Sequence, residues 1–265
     1  MEPIRIDNPA DPRVAPYLTI RERDLAGRHG RFIAEGKVVL NVLFSARRFE
    51  AESVLVLENR LAGLAETLAH APEAMPVYVA SAKIMDAIAG FHIHRGILAV
   101  GRKRAPDSAA ELIAALPERA LLVVLVGISN HDNMGAIFRN AAAFGVDAVL
   151  LDPTSCDPLY RKAIRVSVGA VLKTPFTVIE TAEIVDMLAA EHFDQIALSP
   201  GGAVDIRDAR RSARMALYLG TEGDGLPQNL LAQLKTVRIG MAAGFDSLNV
   251  AAASAIALHR LADAG

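Results

Sequence analysis

Leu121-Leu122-Val123-Val124-Leu125-Val126-Gly127-Ile128 carries no charged side chain and is dominated by leucine and valine. A run of this length and composition predicts a strand covered on both faces. Working outward, strand and helix signals alternate. Ala136 to Phe144 has helical spacing and stops at Gly145. Ala148 to Leu151 is a strand, Arg161 to Val168 a helix stopped by Gly169, and Thr174 to Val178 a strand. Ala182 to His192 is a helix; Gln195 to Leu198 and Met215 to Leu219 are strands. Pro227 to Leu234 is a helix, Thr236 to Ile239 a strand, and Leu248 to Leu261 a closing helix. This alternation predicts an α/β fold with a parallel sheet between helices. Ligands of such sheets sit beyond the carboxyl ends of the strands. Attention therefore falls on loops 129–135, 199–203, 220–226 and 240–247.

The front of the chain reads differently. About thirty residues rich in proline and arginine form an extended lead-in. Phe32 to Leu43 is a strand-to-helix segment broken at Gly36, Ser53 to Leu57 a short strand, and Arg60 to His70 a helix. Val77 to Ala80, Ala82 to Gly90 and Ile97 to Val100 continue as strand, helix and strand. The division expected is a small α/β domain over 1–105, a linker helix over 106–119 and a second domain over 120–265.

Charge sharpens that division. The 265 residues hold 28 Lys and Arg and 30 Asp and Glu, a net charge of −2. Before Ala105 there are fifteen basic residues against twelve acidic; from there on, thirteen against eighteen. Arg21, Arg23, Arg28 and Arg31, then Arg47 and Arg48, then Arg102, Lys103 and Arg104 cluster in the front part, the pattern of a segment that grips a polyanion. Arg161, Lys162 and Arg165 add a basic helix face. A hydrophobic fraction of 52% excludes wholesale disorder. No apolar run approaches the ~18 residues of a membrane span, and the polar start is no secretory signal. One cysteine, Cys156, excludes internal disulfides, and the seven histidines show no metal-ligand spacing. A cytoplasmic protein is expected.

Three strand-end loops carry the chemistry. Asn133 lies where a helix begins, with Arg139 six residues on. Gly220-Thr221-Glu222-Gly223-Asp224-Gly225 is a turn in which backbone can approach a ligand and in which Glu222 supplies a carboxylate. Its spacing is not that of the dinucleotide fingerprint, and no phosphate loop of the G-x-x-x-x-G-K-[ST] type occurs. In the last loop Asp246 or Ser247 is expected to cap the final helix, with Asn249 in its first turn.

Together these loops resemble the three motifs of the SpoU-type (TrmH group) RNA ribose 2′-O-methyltransferases of the SPOUT superfamily. Asn133-Met134-Gly135-Ala136-Ile137-Phe138-Arg139 looks like the first, Leu219 to Leu226 like the second, and Ile239-Gly240-Met241 with Ser247-Leu248-Asn249-Val250 like the third. A weaker resemblance, through Phe32 to Gly36 and His94 to Val100, is to the small RNA-binding domain often fused ahead of this catalytic domain. The resemblance implies a trefoil-knotted methyltransferase domain, a homodimer formed through it, and S-adenosyl-L-methionine as cofactor. It implies cofactor contacts at Gly220, Ile239, Leu248, Leu198, Ser199 and Asn249. It implies catalytic roles for Arg139, Asn133, Glu222, Ser247 and Asn249, acting on rRNA or tRNA. Arginine is a poor base, because its guanidinium stays protonated in proteins. A charged Arg139 that clamps phosphate and stabilises the forming oxyanion is therefore preferred here. The alternative, a non-catalytic RNA-binding protein of the same fold, would be marked by damaged motifs.

Overall fold

The computed structural model describes residues 2–18, 20, 30–105, 107–244 and 247–262. The readings placed on Arg21, Arg23, Arg28 and Asp246 lie outside the described residues. The chain forms two compact units: Met1–Ala105 with Asp157–Lys173, and Pro106–Cys156 with Thr174–Gly265.

The first unit is built on a mixed sheet of β1 (Ile4–Ile6), β2 (Arg31–Glu35), β3 (Glu50–Leu57), β4 (Val77–Ala80) and β5 (Ile97–Arg102), in the order β1-β4-β3-β5-β2. The lead-in is more ordered than its composition suggests. Ile4–Ile6 pairs with β4 in parallel as the edge strand. Asp11 caps a 3-10 turn, Pro12–Tyr17, that places Tyr17 fully inside the core with its hydroxyl 2.8 Å from Ser53 Oγ. Prolines at a helix start and a buried aromatic do not need the periodicity that marks longer elements. The helix expected over 60–70 is instead three short pieces, Glu58–Leu61, Ala62–Leu64 and Ala65–Leu68, with Gly63 in the middle one.

Residues 157–173 fall in the second domain by the sequence division but pack with the first unit. Arg161 explains why. Its guanidinium, with the side chain 14% exposed, donates to Glu35 Oε2 at 2.9 Å and lies 5.0 Å from the Phe91 ring centroid. Glu35 is itself buried at the end of β2. Gly169, at φ +87°, turns the segment so that its backbone lies against Val42 of the Lys37–Ala46 helix. Arg161 thus serves the interior of this unit and is not held out to solvent.

The second unit is a seven-stranded, all-parallel sheet ordered β10-β12-β9-β11-β6-β7-β8. Its strands are β6 (Ala120–Leu125), β7 (Ala148–Leu151), β8 (Phe176–Val178), β9 (Asp194–Leu198), β10 (Val204–Asp205), β11 (Arg214–Leu219) and β12 (Lys235–Arg238). All of β6 and β7 is buried, as the apolar runs predict. The two-residue β10 has no signal in the sequence. The later strands insert between earlier ones: β11 between β6 and β9, and β12 between β9 and β10. Helices His131–Ala143 and Val250–Leu261 pack together, joined by Asn140, whose amide donates to Ala251 O at 2.8 Å and Ser254 Oγ at 2.9 Å. Among the described residues no helix is long and apolar enough to cross a membrane.

The Glu35–Arg161 pair sets a stability prediction. Removing one partner of a buried pair leaves the other charge uncompensated, at a cost of about 3 kcal/mol. Glu35→Ala should lower the urea-unfolding free energy by that order, and replacing both residues with apolar ones should recover much of it. A Glu35→Ala protein as stable as the parent would show that the pair contributes nothing.

Candidate functional site

The loops that leave β9, β11 and β12 enclose a cavity of about 550 Å³ in the second unit. Leu198 and Ser199 line it from the first, Gly220 to Leu226 from the second, and Ile239 and Met241 from the third. Ser247, Leu248 and Asn249 close it. All six residues expected to contact the cofactor therefore line one cavity at the carboxyl edge of the sheet. The apolar side chain of Leu248 is 39% exposed at this rim, available to cover a ligand.

The glycine-rich turn has a different reason for its glycine than ligand approach. A Cβ on Gly220 would lie 2.4 Å from the backbone of Gly225 and Leu226, because the turn folds back on itself through a bridge between Thr221 and Gly225. Gly220 is needed for loop closure, and that closure shapes the cavity wall. A Cβ on Gly240 would face Asp205 Oδ2 at 3.1 Å and not a ligand.

Both helix starts differ from expectation. The His131–Ala143 helix begins at His131, with Asn130 as its cap accepting from Asp132 N at 2.8 Å. Asn133 is consequently inside the first turn and 7% exposed. The final helix begins at Val250, and Asn249, not Asp246 or Ser247, is its cap. Asn249 Oδ1 accepts from Ala251 N at 2.9 Å and Ala252 N at 3.2 Å. That cap fixes the amide's orientation, since its oxygen must face the helix. Asn249 Nδ2 then donates to Asn133 Oδ1 at 2.9 Å and to Glu222 Oε1. Asn133 keeps its NH₂ group free of this bond and can donate it elsewhere.

Asn133, Glu222 and Asn249, from three distant motifs, thus form one hydrogen-bonded cluster at the cavity mouth. Arg139 does not join it. It is exposed in the third turn of its helix, and no bond from it to Asn133 or Glu222 is present. Six residues advance a helix by about 600°, so Asn133 and Arg139 point to different faces.

A second set of residues went unremarked in the sequence. Asp152, at the end of β7, is buried and accepts from Gly127 N at 2.9 Å, Ser155 N at 3.0 Å, Ser155 Oγ at 2.6 Å and Thr154 Oγ1. Ser155 Oγ in turn accepts from Ile128 N at 3.1 Å. This clamp holds the chain where it leaves β6 and enters the Asn133 helix. Its signal was an Asp followed by Thr and Ser at the end of a neighbouring strand, an Asx-type turn. Burial alone would raise the Asp152 pKa, but the four hydrogen bonds outweigh it and hold the carboxyl below its ordinary value.

The basic side chains of the first unit are variously engaged. Arg31 donates to Glu52 at 2.6 Å. Arg47 stands at the C-terminal end of the Lys37–Ala46 helix with φ +51°. Arg165 is half-buried in the last turn of the Arg161–Val166 helix.

An all-parallel sheet whose strand-end loops join three polar motif residues beside a cavity has the arrangement of a ligand-binding α/β domain. Residues 120–259 match the SpoU rRNA Methylase family, and the chain belongs to it. It is 36% identical, over 97% of its length and 91% of the relative's, to an uncharacterized tRNA/rRNA methyltransferase of Mycobacterium bovis. It is 29% identical to the 23S rRNA (guanosine-2′-O-)-methyltransferase RlmB of Salmonella typhimurium, over 78% of this chain and 88% of that one. The fold matches that of an AdoMet-bound rRNA methyltransferase from Sinorhizobium meliloti with a TM-score of 0.79, at 23% identity, covering 97% and 96% of the two chains.

Two outcomes test this geometry. Asn249→Asp keeps an oxygen for the helix cap but sets a carboxylate against Glu222. It should retain most of the parent's thermal stability yet lose methyl transfer by about 100-fold or more, whereas Asn249→Ala should also lose about 1 kcal/mol from the missing cap. Equal activity in Asn249→Asp and the parent would remove the cluster from the mechanism. For Asp152, a carboxyl held below its ordinary value stabilises the fold above the unfolded-state pKa of about 3.9, and that stability is lost as pH falls through the folded value. Asp152→Asn should be less stable at neutral pH and lose less on acidification; parallel stability–pH curves for the two proteins would contradict this.

Proposed function

We propose that this chain transfers a methyl group from S-adenosyl-L-methionine to the 2′-hydroxyl of a ribose in structured RNA, ribosomal or transfer. The observation that carries the reading is the Asn249 amide, locked by its helix cap and joined to Asn133 and Glu222 at the cavity mouth. The cavity suits the cofactor. Leu198, Leu219, Ile239 and Leu248 offer apolar surface, and the loop backbones offer donors and acceptors at an adenine edge. The relative solved with AdoMet shares the fold, and the RlmB relative is named for 2′-O-methylation of guanosine.

S-adenosylmethionine supplies, when bound, a methyl group on a sulfonium, which is electrophilic without further activation. The protein aligns the ribose oxygen with that methyl and keeps the cleft dry. With Glu222 Oε1 already accepting from Asn249, its other oxygen has both lone pairs open to a ribose hydroxyl. Asn133 offers its NH₂ group and Ser247 its hydroxyl to the same substrate. Arg139, exposed and charged, binds the adjacent phosphate and stabilises negative charge as it develops on the 2′-oxygen. The hydroxyl proton leaves to the RNA phosphate or to water. Because Arg139 stands apart from the other three, it works on the substrate directly and not through Glu222.

A trefoil knot and a homodimer through the second unit belong to the same proposal, as does action in the cytoplasm. The match of residues 120–259 to the SpoU family supports the threading. Intact motif residues weigh against a non-catalytic RNA-binding role.

Purified protein with methyl-labelled S-adenosylmethionine and RNA from cells lacking the enzyme should yield a 2′-O-methylated nucleotide on nuclease digestion and mass spectrometry. Arg139→Ala should lower the rate by about 100-fold or more. Arg139→Lys should also be impaired, because lysine lacks the forked, two-point donor. Label on a base, or none from protein that binds the cofactor and this RNA, would overturn the ribose assignment.

A further inference from the structure

A second cavity, of about 600 Å³, lies wholly within the first unit. Three segments remote in sequence build it: the end of the Lys37–Ala46 helix with the turn after it, the turn at 70–73, and the end of β5. Among the described residues five cations line it, Arg47, Arg48, Arg102, Lys103 and Arg104, against two carboxylates, Glu50 and Glu73. Most of this charge is engaged within the protein, Arg48 and Arg104 included. Arg102 pairs with Glu52 at 2.5 Å and with Glu50 at 3.8 Å, and Lys103 pairs with Asp157.

Two features mark the wall of this cavity. Arg47 is a non-glycine residue with φ +51° at a helix C-terminus, a position where glycine would cost nothing. The strain is accepted, and the side chain kept there is a guanidinium on the cavity wall. Beside it, Arg48 lies with its guanidinium carbon 5.0 Å from the Phe49 ring centroid. Phe49 is buried and held edge-on by Phe32 at 5.3 Å. The Arg48 plane is thus backed by a fixed aromatic ring.

We infer that this cavity is a binding slot for an unpaired nucleotide of the RNA substrate, with phosphate held by Arg47 and the base laid against the Arg48 guanidinium where it lies over Phe49. A guanidinium plane stacks on bases as readily as an aromatic ring does, and phosphates take forked donors. The volume suits one or two nucleotides. A paired helix keeps its bases stacked inside and could offer the slot only backbone. The proposal rests on the RNA reading above and specifies which feature of the RNA the first unit selects.

The test uses the full chain and fluorescein-labelled RNA, either a single-stranded ten-nucleotide oligomer or a hairpin of matched length with a closed stem. Anisotropy titrations at several salt concentrations give affinity and salt slope; calorimetry gives cofactor affinity. Arg47→Gly relieves the left-handed strain, so its melting temperature should equal or exceed the parent's. Its affinity for the single strand should nevertheless fall by about 10-fold, and the log–log salt slope should drop by about 0.7 for the lost phosphate contact. Arg48→Ala should weaken single-strand binding with little change in slope. Cofactor binding should be unchanged in both. Single-strand binding by the parent that neither variant alters would overturn the slot while leaving the transferase reading intact. Equal losses on strand and hairpin would overturn selection of unpaired nucleotides. A parent protein that binds cofactor but neither RNA would overturn both readings.

Discussion

The site depends on one pairing: β6 against β11, in parallel and in register from Ala120 opposite Arg214 to Leu125 opposite Leu219. Both strands run through a core that excludes water, so neither can slip without leaving backbone groups unpaired. The register brings two chain exits side by side. From β6 the chain continues toward Asn133, and from β11 it turns at once into the Gly220 loop that holds Glu222. Val126 N donates to Leu219 O just beyond the last paired residues, extending the contact to the mouth of the site. Asn249 then needs only the approach of one helix end to reach both. The packing of Val250–Leu261 on His131–Ala143, through Asn140 and Ser254, provides that approach. Affinity between two helices and register between two strands thus set the geometry of a three-residue cluster.

The polar cluster is positioned by hydrogen bonds and turns within the protein itself. Asp152 fixes Gly127 and, through Ser155, Ile128, which precede the loop leading to Asn133. Gly220 permits its loop to close on itself, and Asn249 uses one amide atom for the helix and the other for its neighbours. A single residue that caps and bridges cannot rotate without losing both functions. The cluster is therefore organised before any substrate arrives, which is the condition for electrostatic stabilisation without reorganisation.

The β/α order of the second unit was legible because parallel strands buried on both faces write themselves as unbroken apolar runs, and Leu121 to Leu125 and Met215 to Leu219 are of that kind. Strand-end loops then follow from fold class alone. What was not legible were features that rest on contacts between distant residues. β10 is two residues long and exists because β12 lies beside it. The helix starts at Asn130 and Asn249 were misplaced because several adjacent residues can cap, and only tertiary position chooses among them. Tyr17 gave no periodic signal, since a single aromatic anchors its short turn. The assignment of 157–173 to the second domain followed continuity of the chain, whereas its packing is decided by Arg161 finding Glu35, 126 residues away.

That reassignment changes the charge argument. With 157–173 counted where they pack, the first unit holds nineteen Lys and Arg against thirteen Asp and Glu, and the second holds nine against seventeen. The formal difference between units is thus wider than the sequence division shows, at +6 and −8. A unit that carries excess positive charge attracts RNA over distances comparable to the Debye length, about 8 Å at physiological salt. A unit with net negative charge does the opposite, and it cannot hold RNA by charge in general. Contact between RNA and the second unit must then rest on local cations, of which Arg139 is exposed close to the motif loops. This gives Arg139 a reason to stand outside the Asn249 cluster. Paired with Glu222 it would be neutralised, and the phosphate contact proposed for it would be lost.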